Sequence, residues 1–126
     1  MAGFARNERI RRRAEFQLVY ERGTRVHGRL FTLFILPAQQ ASSPTRLGIA
    51  ATKKLGGATR RNRAKRLIRE VFRRIRISPG FDVVVVPKRE LLDASQTALE
   101  TEYQDAIERS LRRARSTRRP GPPQGL

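Results

Sequence analysis

Apolar positions in this chain recur with two periods, and each change of period marks a new element. Phe16, Val19 and Tyr20 stand at i, i+3 and i+4, one face of a helix over residues 12–22 that Gly23 stops. No Ser, Thr, Asp or Asn precedes this helix, and Arg13 stands where a polar cap is expected. Residues 29–36, RLFTLFIL, are β-favouring and closed by Pro37. After a polar, turn-rich loop over 37–45, a second strand is expected from Leu47 to Thr52, pairing back onto the first as a hairpin. The helical period then returns from about Thr59 to Ile77, with Ala64, Leu67, Ile68, Val71, Phe72 and Ile75 on one face. Ser78, Pro79 and Gly80 end it. The run Phe81 to Val86 is short and apolar throughout, as in a strand buried on both faces, and Pro87 closes it. Leu92, Leu99, Tyr103, Ala106, Ile107, Leu111 and Ala114 predict a long helix over 93–115.

This order, α-β-β-α-β-α, describes an α+β sandwich with a small central sheet of two or three strands. At 126 residues the chain suits one domain with one core. Residues 1–11 read as a flexible basic arm and 12–115 as the domain. Residues 116–126, STRRPGPPQGL, have the composition of a disordered tail.

Charge adds a partner. The net charge is +17 and the sequence pI about 11.9, a self-repulsion best relieved by a polyanion such as nucleic acid. Cysteine is absent, which excludes disulfides and thiolate chemistry. No apolar run approaches the roughly 20 residues of a membrane span. The first thirty residues lack the apolar segment of a secretory signal, so a cytoplasmic protein is expected. Arg outnumbers Lys by 24 to 4, which fits phosphate contacts and a genome rich in G and C equally well.

Residues 53–76 concentrate this charge. They hold eleven Lys or Arg against one acid, Glu70, so eleven minus one leaves +10 on 24 residues. At about 100° per residue, Asn62, Arg66, Arg69 and Arg73 form one stripe opposite the apolar face, with Lys65 and Arg76 along its edge. A solvated surface helix normally mixes signs to gain i,i+4 pairs, and this stripe does not. A membrane-surface or calmodulin-type helix needs a free apolar face, whereas here a sheet is available to cover it. Nucleic-acid binding fits best, because a helix of this length spans about 16 Å across the stripe, enough for several phosphates.

The remaining chemistry is sparse. His27 is the sole histidine and reads as a surface residue, with RNA contact as its other reading. Glu70 and Asp82 allow a metal pair in principle, but Glu70 reads more simply as a salt-bridge partner of nearby arginines and Asp82 as a strand-edge group. Phe16 and Tyr20 lie one turn apart, and Thr32 and Phe34 share a strand face. Such rings can stack single-stranded bases without regard to sequence. Phe31 and Phe72 read as core; for Tyr20 and Phe34 core and partial exposure are balanced.

Lys53, Lys54, Gly56, Ala58 and the run Arg61-Asn62-Arg63-Ala64-Lys65-Arg66-Leu67-Ile68-Arg69-Glu70, with Phe72 and Arg73, resemble the signature of the bacterial ribonuclease P protein subunit. Phe16, Val19, Tyr20, Gly23, the strand 29–36, Gly48 and the strand 82–86 extend the resemblance over residues 10–115. Gly57 and Thr59 depart from it, standing where Asn and Val are usual. The resemblance implies a protein that joins one catalytic RNA and helps remove the 5′ leader of precursor tRNA, with Mg²⁺ held mainly by the RNA and no metal assigned to the protein. It also implies a left-handed βαβ crossover, against the general preference, like that in the second domain of a small-subunit ribosomal protein. Carried over by residue, Lys53, Lys54, Arg61, Asn62, Arg63, Lys65, Arg66, Arg69 and Arg73 would face the catalytic RNA. Phe16, Tyr20, Thr32 and Phe34 would line a separate leader cleft. No membrane or DNA partner is implied. A structural ribosomal protein would share the basic helix but needs no aromatic groove, and a protein-only nuclease would need clustered carboxylates that the sequence lacks.

Overall fold

The computed structural model describes residues 8–118. In chain order the elements are α1 (Arg13–Arg22), β1 (Thr24–His27), β2 (Phe31–Pro37), β3 (Arg46–Ile49), α2 (Ala58–Arg74), β4 (Phe81–Pro87) and α3 (Gln96–Arg118). Single 3-10 turns occupy Lys53–Leu55 and Arg89–Asp93. One sheet runs in the order β1-β2-β4-β3. β2 is antiparallel to both β1 and β4, and β3 is parallel to β4.

The expected hairpin between β2 and β3 does not form, because β4 lies between them. Val83, Val84 and Val85 are all buried, so β4 needs cover on both faces and a neighbour on both edges. The loop after β2 carries the chain past the place β4 will fill, and α2 is the crossover that parallel β3 and β4 require. β1 was not expected at all. Only Val26 of its four residues is buried, so there was no alternation to read.

Side chains alternate strictly across the sheet. Leu33, Ile35, Leu47, Val83 and Val85 face α2 and α3, where Ile68, Phe72, Leu99 and Tyr103 complete the larger core. Val84 faces the other way, toward Val19 of α1 and Ile10, with Phe16, Phe34, Leu36 and Val86 partly buried around them. Ile10 therefore belongs to the domain and not to a loose arm. Its amide donates to the Leu47 carbonyl at 3.0 Å, and Arg9 bridges to Leu47, so this segment covers the outer edge of β3. The rest of the expected arm, residues 1–7, and the tail beyond 118 lie outside the described residues; the three residues 116–118, placed in the tail, continue α3.

Helix ends explain the other differences. α1 lacks a polar cap residue, as its sequence indicates, but Glu15 reaches back to accept the Arg11 and Arg12 amides at 3.4 and 3.3 Å. That is the acidic half of a capping box. α2 stops at Arg74, short of the expected Ile77, because Ile75 leaves the helical conformation at φ −108° and ψ 87°. Ile75 and Ile77 still pack against the core. α3 begins at Gln96 and not 93, where Ser95 Oγ accepts the Ala98 amide at 3.1 Å.

Tyr103 is wholly buried, and its hydroxyl has no hydrogen-bond partner among the described residues. Burial raises its pKa, with the Arg76 charge acting weakly in the opposite sense. An unpartnered buried hydroxyl costs free energy, so Tyr103→Phe should leave stability unchanged or raise it by up to about 1 kcal/mol. Leu33→Ala, in contrast, should cost about 2–5 kcal/mol. Urea unfolding of the two variants checks both.

Candidate nucleic-acid interface

α2 presents its cations in two rows. Asn62, Arg63 and Arg66 are exposed, as are Lys53 and Lys54 on the preceding turn. Arg61, Lys65, Arg69 and Arg73 are half-buried. Their spacing of four residues advances about 40° per step, so the row runs from the border of the apolar face at Arg61 toward the middle of the polar stripe at Arg69 and Arg73. Arg69 and Arg73 thus stay on the expected stripe, half-buried beside the exposed Arg66. The approach to α2 is shaped by Thr52, whose hydroxyl accepts the Lys54 amide at 3.3 Å, and by Gly56 at φ +122°, where an L side chain would be strained. Gly57 supplies no side-chain cap, so the first amides of α2 face outward unclaimed by one. Glu70 forms no ion pair among the described residues, contrary to expectation; acids bind arginines elsewhere, as in Arg76 with Glu8 at 2.6 Å and Arg74 with Glu100. Phe72 is core, as expected, with the Arg76 guanidinium 5.5 Å from its ring centroid.

On the opposite face of the sheet α1 and β2 hold three rings in a row. Phe16 and Tyr20 have centroids 6.4 Å apart, and Tyr20 meets Phe34 edge-on at 5.0 Å. Tyr20 keeps 38% of its surface exposed, and Phe16 and Phe34 are half-buried, so this row is neither core nor free surface. Burial raises the pKa of the Tyr20 hydroxyl, which stays neutral and able to donate. Thr32 is buried, with 8% of its surface exposed, and belongs to the floor, its hydroxyl 3.4 Å from His27 Nδ1. Val86, directly opposite Thr32 in the register, adds an apolar patch to that floor which the sequence reading did not single out. Gly48 is needed beside Phe16: a Cβ there would stand 2.9 Å from two ring carbons.

These two surfaces are not separate. A cavity of about 290 Å³ at the β3 edge is lined by Phe16, Ile10, Arg9 and Arg11 on one side and by Lys65 and Arg69 of α2 on the other. Burial, and after it the charge of Arg9, lowers the pKa of Arg69. Like charges crowded into a partly desolvated space favour an anion between them. Arg9 and Arg11 escaped the sequence reading because they fall in the stretch taken for a mobile arm. Only the pairing of Ile10 with Leu47 puts them here. Among the described residues no three His, Asp or Glu lie together to hold a metal ion.

The sequence matches the family described as Ribonuclease P over residues 4–111. It is 39% identical over 104 residues to the "Ribonuclease P protein component" of Symbiobacterium thermophilum, covering 81% of this chain and 90% of that one. With the protein of the same name from Thermotoga maritima it shares 41% over 90 residues, 70% of this chain and 75% of the relative. The solved RNase P protein from Thermotoga maritima superimposes with a TM-score of 0.71 at 32% identity, covering 81% of this chain and 96% of that one. The Staphylococcus aureus RNase P protein gives 0.69 at 30%, covering 80% and 93%.

The crowded cations of the cavity generate a direct test. Sulfate should raise the melting temperature more than chloride at equal ionic strength, because an anion bound only by the folded state stabilises it by mass action. Lys65→Ala combined with Arg69→Ala should lose most of that extra increment, as read by calorimetry.

Proposed function

The chain belongs to the ribonuclease P protein family, and we propose that it serves as the RNA-binding subunit whose catalytic RNA removes the 5′ leader of precursor tRNA. The outer cations, Lys53, Lys54, Arg63 and Arg66 with Asn62, take the phosphates of the catalytic RNA. Guanidinium groups suit this role because their planar donors match phosphate oxygens in pairs. Arg61 and Arg73 contribute from the inner row. The leader runs along the ring row, its bases stacking on Tyr20 and Phe34 with Phe16 and Thr32 bordering the path. Mg²⁺ held by the RNA supplies the activated water and stabilises the leaving oxygen. The protein neutralises charge and holds substrate; it is a subunit of an endonuclease without being the nuclease itself.

The observation that carries this reading is the cavity joining the two surfaces. Lys65 and Arg69 belong to the helix that faces the catalytic RNA, yet they share a wall with Phe16 of the leader path. A leader leaving the rings would pass its phosphates between these cations on its way to an RNA bound on α2. The partner is RNA, with no part for DNA or a membrane. No described helix is long and apolar enough to cross a bilayer. A cytoplasmic setting follows from the tRNA-processing role.

Reconstitution tests the whole: added to a bacterial ribonuclease P RNA, the protein should permit more cleavage of precursor tRNA at low Mg²⁺ than the RNA gives alone. In the same assay Arg66→Ala with Arg69→Ala should weaken assembly and flatten its dependence on salt by about 0.7–0.9 log units per contact removed. Assembly unchanged at both low and high salt would remove α2 from the interface.

The rings generate a second outcome. Tyr20→Ala and Phe34→Ala should each weaken holoenzyme binding of leader-bearing precursor by about five- to a hundredfold, the range of one lost stacking contact. Binding of mature tRNA should stay the same. Equal losses on the two ligands, measured by gel shift, would return both rings to the core.

A further inference from the structure

We propose that Arg46 is a positioning residue: with Asp82 behind it, it fixes where α1 sits on the sheet and so sets the spacing of the leader path. This rests on the leader reading above and extends it to residues that touch no RNA. α1 needs such a fixture, because Val19 is its only fully buried residue and Leu18 and Tyr20 are exposed. Arg46 and Asp82 are register partners on β3 and β4. The guanidinium meets Asp82 in bidentate fashion, Nε to Oδ1 at 3.0 Å and Nη2 to Oδ2 at 2.9 Å. That pairing fixes the plane of the rigid fork and leaves Nη1 aimed at Glu15 Oε2, 3.1 Å away. The other oxygen of Glu15 accepts the Arg11 and Arg12 amides that lead into α1. One carboxylate thus joins the start of α1 to the sheet.

Two residues along β3, on the same face, Gly48 leaves the space that Phe16 fills. At its far end α1 runs through Gly23 directly into β1. Phe16 and Tyr20 therefore lie between two fixed points, and releasing the first frees the helix to shift its rings relative to Phe34. Hydrogen bonding to Asp82 raises the pKa of Arg46, outweighing burial, and Glu15 adds to the rise.

The test separates positioning from a phosphate contact. Glu15→Gln removes a negative charge, so electrostatics alone would tighten binding of every RNA. Positioning instead predicts that the reconstituted holoenzyme binds leader-bearing precursor about fivefold more weakly, with mature tRNA within about twofold of wild type. Arg46→Lys, which keeps its charge but cannot bridge both acids with one fixed plane, should show the same selective loss. It should also weaken the ring-to-ring nuclear Overhauser contacts of Tyr20 with Phe34. Circular dichroism melts confirm that both variants fold. The proposal is overturned if either variant binds precursor as wild type does, or loses both ligands equally, while Tyr20→Ala still weakens precursor alone. If Tyr20→Ala and Phe34→Ala also fail to separate the ligands, the leader path itself is wrong and the positioning role falls with it.

Discussion

Everything in this domain is arranged around a strand that tolerates water on neither face. Val83, Val84 and Val85 of β4 are buried in succession, so helices must cover both sides of the sheet and strands must flank both edges. α2 and α3 cover one side, where the larger core forms, and α1 with Ile10 covers the other. α1 covers it only in part. The uncovered remainder, floored by Thr32, Phe34 and Val86, is the groove.

The same arrangement brings a cationic helix and an aromatic groove to one edge although they belong to opposite faces. β3 is a short strand of four residues, Arg46–Ile49, whose outer edge is covered, among the described residues, by Arg9 and Ile10. α1 reaches it from one face through Phe16, and α2 from the other through Lys65 and Arg69. At a thin edge, two faces of a sheet become a single surface. The charges crowded there oppose folding, and the apolar core beneath α2 must outweigh them. Ile68, Val71 and Phe72 are each nearly sealed from water, and each such side chain contributes roughly 1.5–3 kcal/mol.

Most of the acids fall in one stretch of the chain or are used in structure. Six of the eleven, Glu90, Asp93, Glu100, Glu102, Asp105 and Glu108, lie between residues 90 and 108, the stretch that includes the start of α3. Glu102 is used inside the fold, accepting the Leu30 amide at 2.7 Å. Glu15 of α1 and Asp82 of β4 are both occupied by Arg46.

By itself the sequence determined the three helices, three of the four strands, the sidedness of α2 and the ring-bearing face of α1. These follow from periodicity and charge within a dozen residues, which local sterics and solvation enforce whatever the rest of the chain does. It could not reveal β1, whose single buried valine carries no pattern, nor that β4 would separate β2 from β3. Nor could it show Arg9 and Arg11 beside Lys65 and Arg69, which are more than fifty residues away in the chain. Strand order, edge closure and shared cavities are settled by which surfaces compete best for burial, and that competition involves the whole chain at once. The α2 cations were legible as a charged stripe from the start; that they share a wall with Phe16 of the ring row, and that Arg46 joins the start of α1 to the sheet, only the tertiary structure decided.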